Sequence, residues 1–177
     1  MRNAFLAAVL GIDLGEIVES RILPSHLRQK DKDDKLGILD VRVLLNNKEQ
    51  IDIEIQVTAS EYWAERTLFY LGKMFTDQLK PGEDYQKLEK CIHIGILNFT
   101  MFEDEEYYSC FHFWSDQGRK MYSDKVEIHT LELPKLAKYE YPETELLKWL
   151  QFINAETKEE FEMAAEKSEY IKKRMRI

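Results

Sequence analysis

The strongest constraint on the fold of this chain is a strict alternation of apolar and polar residues over positions 50–57. Such alternation, with a β-branched residue at every apolar position, is typical of a β-strand with one buried face. A similar segment, 38–45, precedes it, so the two are predicted to form a β-hairpin. The apolar positions are Leu39, Val41, Val43, Ile51, Ile53, Ile55 and Val57, and the polar face carries Asp40, Arg42, Asp52, Glu54 and Gln56.

The length of the turn decides whether two carboxylates of the polar face meet. A three-residue turn over 46–48, with Asn in the left-handed conformation that it tolerates, sets Asp40 opposite Glu54. A two-residue turn would bury one of these acids, which is costly. We therefore predict that the two Cβ atoms lie about 5 Å apart on one face. A divalent cation between the acids would offset their repulsion. The alternative interpretation is an acidic face that is simply solvated.

The spacing of the acids carries a resemblance to a known family. Asp40, thirteen intervening residues and then Glu54-Ile55-Gln56 resemble the PD-(D/E)XK nuclease signature, with Gln in place of the usual Lys. Over residues 5–150 the chain is similar to the PD-(D/E)XK family transposases, also called recombination-promoting nucleases. The further matching features are segments 33–41 and 53–57, Arg66, Tyr70, the turn 82–85 and segment 94–99.

The resemblance implies a DNA endonuclease that hydrolyses phosphodiester bonds with Mg²⁺ or Mn²⁺. Asp40 and Glu54 would bind the metal, helped by the backbone carbonyl of Ile55. Gln56 would orient the attacking water. DNA is then the expected partner, with no membrane, and a homodimer is one arrangement that stays open.

The segment after the hairpin is predicted to be a helix from a capping box at Thr58 and Glu61 to about residue 79. Its expected buried stripe is Ala64, Leu68, Leu71, Phe75 and Leu79. A second stripe, Tyr62, Arg66, Tyr70 and Lys73, begins just after the acids. We expect Arg66, Tyr70 and Lys73 to bind substrate, because a guanidinium matches a phosphate oxygen pair. An ordinary exposed helix flank is the alternative.

The nearly continuous apolar run 91–99 predicts a central strand parallel to the hairpin's second strand, reached by a right-handed crossover. The expected fold class is therefore α/β, with a mixed sheet flanked by helices. The resemblance implies a restriction-endonuclease-like αβββαβ core. The remaining expected elements are a helix at 3–10, strands at 16–23, 107–114 and 125–133, and helices at 143–153 and 157–175.

Length and composition are consistent with one cytoplasmic domain. The 177 residues fit a single nuclease-like domain, and no signal peptide or membrane-length apolar run is visible. Cys91 and Cys110 are expected to be reduced thiols. Family members carry a segment before the first helix that this chain is expected to lack. An acid that many of them place on that helix is expected to be lost, not needed, or replaced by Glu16 or Glu19.

Charge and two Cys-x-His pairs suggest other interpretations. The net charge of −8 counts against a nucleic-acid binder, although a bound metal cancels active-site carboxylates.

The two Cys-x-His pairs, Cys91/His93 and Cys110/His112, suggest a zinc site. Strand 107–114 is predicted to pair antiparallel with strand 91–99, which keeps the two pairs about 15 Å apart, too far for one zinc ion. The acids Asp31, Asp33 and Asp34 are expected in a solvated turn rather than at the metal. A catalytically inactive descendant that binds DNA or protein, and a purely structural module, are the alternative functions.

Overall fold

The chain folds around one mixed sheet of six strands in the order β1-β2-β3-β4-β6-β5. The fold is seen in a computed structural model that describes residues 1–27 and 39–175. Residues 174 and 175 are described by their backbone alone. The predicted acidic turn at 31–34 and residues 33–38 of the matching segment 33–41 lie outside the described residues. The strands are β1 (Ser20–Leu23), β2 (Val41–Leu45), β3 (Glu49–Gln56), β4 (Cys91–Leu97), β5 (Tyr108–Trp114) and β6 (Met121–Glu132), and the helices are α1 (Arg2–Leu10), α2 (Trp63–Thr76), α3 (Glu145–Ile153), α4 (Lys158–Lys167) and α5 (Glu169–Met175).

The predicted hairpin forms in the predicted register. β2 and β3 are antiparallel, with Leu45 opposite Glu49 and Val41 opposite Ile53. The turn between them is made possible by two left-handed asparagines, Asn46 (φ 50°) and Asn47 (φ 58°). The three-residue turn and the alternation of β3 therefore agree, which is why this register could be predicted locally.

β1 is shorter than predicted. In place of a strand over 16–23, residues Leu14–Glu16 form a 3₁₀ turn, and β1 begins only at Ser20. Asp13 accepts a hydrogen bond from the Gly15 amide at 2.8 Å, and Glu16 accepts one from the Asp13 amide at 2.8 Å. These local bonds offer the backbone an alternative to the sheet and delay the strand.

The boundaries and the buried face of α2 also differ from prediction. The helix begins at Trp63, without a side-chain cap, so the capping box at Thr58 was wrong. Ala64 and Leu68 of the predicted apolar stripe are exposed. The buried side chains of the helix are Trp63, Thr67, Tyr70, Leu71 and Met74. The physical reason is that the sheet face below α2 carries buried polar groups, so a hydroxyl and an indole fit it better than the aliphatic stripe.

The centre of the sheet is parallel, as predicted, but its far edge is not. All seven residues of β4 are buried, and β4 runs parallel to β3. The predicted pairing of β5 with β4 was wrong. β6 lies between them, parallel to β4 and antiparallel to β5. Residues 129–132 of β6 are buried, whereas β5 is largely exposed, so β5 suits the edge position.

Helices cover both faces of the sheet. α1 and α3 pack on one face around Leu6, Ile51, Ile94 and Leu150, and α2 packs on the other around Leu71. The predicted helix 157–175 is interrupted at Ser168, which is extended and buried. None of the helices in the described ranges is long and apolar enough to cross a bilayer.

Candidate active site

The α2 face of the sheet brings the two signature acids together. Val41 pairs with Ile53, so Asp40, one residue before β2, occupies the position opposite Glu54. Its Oδ2 accepts a hydrogen bond from the Ile55 amide at 3.2 Å. Asp40 is exposed, whereas Glu54 is only 1% exposed. The Asp40 carboxylate therefore faces solvent, and the Glu54 carboxylate opposite it is buried.

Glu54 is held in an unusual environment for a carboxylate. Burial raises its pKa above the ordinary value; nearby Asp52 and Asp40 raise it further, while Arg66 and His93 lower it. Its Oε1 accepts a bond from Arg66 Nη2, but its buried Oε2 has no partner. Buried polar atoms are normally paired. A carboxylate so placed is not part of a solvated acidic face, and the solvated alternative is wrong for this residue.

A second acid, Asp52, lies next to Glu54 and pairs with a buried histidine. Asp52 is opposite His93 in the parallel β3–β4 register, and its Oδ2 lies 2.8 Å from His93 Nδ1. Both residues are at most 1% exposed, and Asp52 Oδ1 has no partner. One ligand atom from each of Asp52, Glu54 and His93 can be chosen so that all lie within 4.8 Å of one another. In the described part of the chain, these three form the group that could hold a metal ion.

Asp52 and His93 were not predicted as site residues. Asp52 was placed on the polar face without a role, and His93 was considered only with Cys91 for zinc. The available signal was a histidine inside an otherwise apolar buried run. What could not be predicted was the register of β4 on β3, because a crossover helix separates the two strands.

Gly95 allows α2 to pack closely against this group of residues. A Cβ added to Gly95 would lie 2.9 Å from Trp63 Cζ2 and 3.4 Å from His93 Nε2. The Trp63 ring packs on the His93 ring at 5.7 Å, and Thr67 Oγ1 lies 3.5 Å from His93 Nε2. Only a residue without a side chain at position 95 lets the helix approach this closely.

The other predicted site residues are dispersed around Glu54. Arg66 reaches Glu54 and its guanidinium lies 5.4 Å from the centre of the Tyr70 ring. Tyr70 is 8% exposed and belongs to the core under α2. Gln56 is half-buried and donates to the Thr58 carbonyl at 2.8 Å. Lys73 lies about 10 Å from Arg66 along the helix axis, at about 1.5 Å per residue.

The donor set fits a divalent cation. Asp52 and Glu54 each have a buried oxygen without a partner, and Asp40 adds an exposed carboxylate at the rim. Oxygen ligands of this kind suit Mg²⁺ and Mn²⁺. Ile55 lies in the same strand, with its side chain on the opposite face from Glu54.

The two Cys-x-His pairs do not form a zinc site in the structure. Cys91 packs under α2 beside Gln78, whereas Cys110 lies on the other face, 3.8 Å from His129 Nε2. Burial raises the pKa of the Cys91 thiol to about 12. The rejection of zinc agrees with this separation, although its reason was wrong, because β5 does not pair with β4.

Glu127 is the centre of a separate ionic group on the face that carries Cys110. It accepts bonds from His112 Nε2 at 3.0 Å and His129 Nε2 at 3.3 Å, and it pairs with Lys90. Burial raises its pKa, but bonds from His129, Lys90 and His112 outweigh burial and lower the pKa to about 2. Glu127 therefore stabilises the fold in its ionised form.

We expect Glu127→Gln to lower the free energy of unfolding at pH 7 by roughly 1–3 kcal/mol. Because the folded pKa lies below the ordinary 4.5, the contribution is present above pH 4.5 and is lost as the pH falls towards 2. Urea unfolding at pH 7 and at pH 3 measures this, with exposed Glu103→Gln as control. A stability difference that is the same at both pH values would contradict the assignment.

Comparison with known proteins agrees with the fold. Searches of curated proteins and of solved structures give no match. A family model described as PD-(D/E)XK nuclease family transposase matches residues 3–177. The six-stranded mixed sheet flanked by helices is consistent with the restriction-endonuclease-like fold of that family. The chain therefore belongs to the PD-(D/E)XK nuclease family transposases.

Proposed function

We propose that this chain is a metal-dependent DNA endonuclease that hydrolyses phosphodiester bonds at the corner formed by Asp40 and Glu54. The observation that carries the proposal is Glu54 itself, a buried carboxylate with an unpartnered oxygen and a raised pKa. Strongly perturbed carboxylates are more frequent at functional sites than elsewhere. Family membership supports DNA as the substrate class.

Asp40 and Glu54 are the proposed ligands of Mg²⁺ or Mn²⁺, with the Ile55 carbonyl as a further oxygen. The metal supplies Lewis acidity towards the phosphate and lowers the pKa of water. The two acids have different tasks because their exposure differs. Asp40 would hold the ion from the solvent side, and the buried Glu54 would hold it from the sheet side.

Gln56 is proposed to orient the attacking water. Its amide can donate and accept hydrogen bonds but carries no charge. In the structure it donates to the Thr58 carbonyl, which directs the side chain towards the start of the β3–α2 connection. This bond leaves the amide oxygen as the acceptor that can hold a water proton.

Arg66 is proposed to supply the positive charge that Gln56 lacks. Its side chain is 39% exposed while it pairs with Glu54, so it is accessible to a phosphate at the rim. With a cation on Glu54, the guanidinium would be free to bind a phosphate oxygen pair. Tyr70 holds the guanidinium from the core side. Lys73 is proposed to contact the DNA backbone further along α2.

One observation favours a second candidate function. The Arg66–Glu54 pair neutralises the buried acid without any metal. A chain that keeps this pair closed would be an inactive descendant that binds DNA or protein through the same face.

In either case we propose that residues 1–177 act as one domain, alone or as a homodimer. We place it in the cytoplasm, where Cys91 and Cys110 stay reduced.

A plasmid-nicking assay separates the two functions. We expect the protein to nick supercoiled DNA with Mg²⁺ or Mn²⁺, and Asp40→Asn to lower the rate at least about 100-fold. Glu49→Gln is the matched control, because Glu49 lies on the same strand as Glu54 but on the other face, where Leu45 is its partner. Equal rates for Asp40→Asn and the parent would exclude the proposed metal ligand. DNA binding without nicking in the parent would favour the inactive descendant.

A further inference from the structure

We propose that Asp52, Glu54 and His93 together form a metal site with a nitrogen ligand beneath α2. This site would take a divalent transition-metal ion in preference to Mg²⁺. The inference rests on the proposed function in sharing Glu54, and it names two ligands, Asp52 and His93, beyond the family signature. The three side chains come from neighbouring parallel strands, β3 and β4.

The geometry of the three side chains is that of a preformed ligand set. Asp52 and His93 are register partners, and Glu54 is two residues along on the same face. Their chosen ligand atoms all lie within 4.8 Å of one another. A metal about 2.0–2.3 Å from each ligand holds ligand atoms about 3–4.5 Å apart, so small side-chain rotations complete the set.

Two unpartnered atoms point to an ion at this place. Asp52 Oδ1 and Glu54 Oε2 are buried, and neither has a hydrogen-bond partner. Both residues are 1% exposed, so bulk water does not compensate them. Arg66 bonds to Oε1 of Glu54, and His93 bonds to Oδ2 of Asp52. These bonds leave the two remaining oxygens without a partner. A cation bound between the two carboxylates would give each of them a partner.

His93 is oriented as a metal ligand would be. Its Nδ1 faces Asp52 at 2.8 Å, and its Nε2 lies 3.5 Å from the Thr67 hydroxyl. With a metal on Nδ1, the neutral imidazole would carry its single proton on Nε2, which would donate to the Thr67 hydroxyl. Ligating histidines characteristically make such a bond with their second nitrogen, which fixes the tautomer and the ring. Trp63 holds the same ring from above.

The nitrogen ligand sets the metal preference. Mg²⁺ demands oxygen ligands and keeps several waters, whereas imidazole favours transition-metal ions. A site that uses a buried imidazole as one of three protein ligands is therefore poorly matched to Mg²⁺. Two carboxylates supply the negative charge that a transition-metal dication requires.

Electron paramagnetic resonance with Mn²⁺ as the probe tests this site. The protein is labelled with ¹⁵N at histidine and loaded with one equivalent of Mn²⁺. We expect a hyperfine coupling between bound Mn²⁺ and a histidine nitrogen. The coupling should be lost in His93→Asn and kept in Asp40→Asn and in His112→Asn, the matched histidine control on the other face of the sheet. Absence of the coupling in the parent, or its persistence in His93→Asn, would overturn the inference.

Metal competition gives a second measurement. His93→Asn is expected to weaken Mn²⁺ binding at least about 10-fold and Mg²⁺ binding much less. Circular dichroism in chelator verifies that the variant folds; if it does not, the spectrum of the labelled parent decides alone. Equal losses for the two metals would contradict the nitrogen ligand.

Nicking is measured in parallel to separate this inference from the proposed function. A parent with the nitrogen coupling but without nicking supports this site and contradicts only the proposed function. A parent that nicks DNA while its bound Mn²⁺ shows no nitrogen coupling contradicts only this site.

Discussion

Glu54→Gln is expected to lower metal-dependent DNA nicking by about 10³-fold or more without lowering the free energy of unfolding. The two effects differ because Glu54 is a costly residue for the fold. It is buried, its pKa is raised, and one of its oxygens has no partner. A glutamine keeps the shape and an acceptor for Arg66, but it loses the charge that would hold a metal.

The prediction for Glu54 combines a kinetic and a thermodynamic measurement. Single-turnover nicking at saturating metal gives the rate, and urea unfolding in chelator gives the free energy of unfolding. Asp52→Asn, two residues away on the same face, and Glu49→Gln, on the other face, are measured for comparison. A Glu54→Gln variant that is destabilised by about 2 kcal/mol or more and still nicks DNA would make Glu54 a structural residue.

Lys135→Met is expected to destabilise the fold by about 3–5 kcal/mol, the largest loss of stability that we predict. Lys135 is 1% exposed and donates to Glu132 Oε1 at 2.9 Å, Asp104 Oδ1 at 2.8 Å and the Glu106 carbonyl at 2.9 Å. Burial lowers its pKa, but the bonds to Asp104 and Glu132 outweigh burial and raise it. Removing the ammonium leaves the buried Glu132 carboxylate without a cation, with only the Met101 and Phe102 amides as partners in the described part of the chain. Breaking a buried ion pair by removing one partner is costly.

The matched control for Lys135 is Lys138→Met, an exposed lysine three residues on. Its effect is expected to stay within about 0.5 kcal/mol. Because Glu132 carries the penalty, Glu132→Gln in the Lys135→Met background is expected to recover part of the loss. Urea unfolding of the three variants measures these differences. A Lys135→Met loss equal to that of Lys138→Met would show that the buried pair contributes nothing to stability.

The hairpin could be predicted because its information is local. The alternation of β3 and the left-handed tolerance of Asn46 and Asn47 both depend on residues within the hairpin itself. They set the register that brings Asp40 next to Glu54. The same locality explains the correct strand at β4, whose continuous apolar run is short enough to exclude a long helix.

The face of α2 and the position of β6 could not be predicted in this way. Leu68 belongs to an apolar stripe by period, yet Thr67 and Trp63 are buried, because the sheet below presents His93 and Gly95. That environment comes from a strand about thirty residues further along the chain. The position of β6 between β4 and β5 likewise depends on the β5–β6 hairpin folding back so that its second strand pairs with β4.

The site was predicted in part for the same reason. Asp40 and Glu54 are neighbours through a short turn, so their pairing follows from spacing. His93 joins Asp52 only through the parallel register that the α2 crossover sets. The net charge of −8 counted against DNA binding. The burial of Asp52 and Glu54 removes two of these acids from the surface that DNA would meet.

The most direct test of a metal-dependent nuclease is reversal of activity by metal in one preparation. The purified protein is incubated with supercoiled plasmid in chelator, and Mg²⁺ or Mn²⁺ is then restored. We predict no nicked circles in chelator and their appearance after either metal is added. Nicking that persists in chelator, or that never appears after metal is restored, would contradict the proposed function.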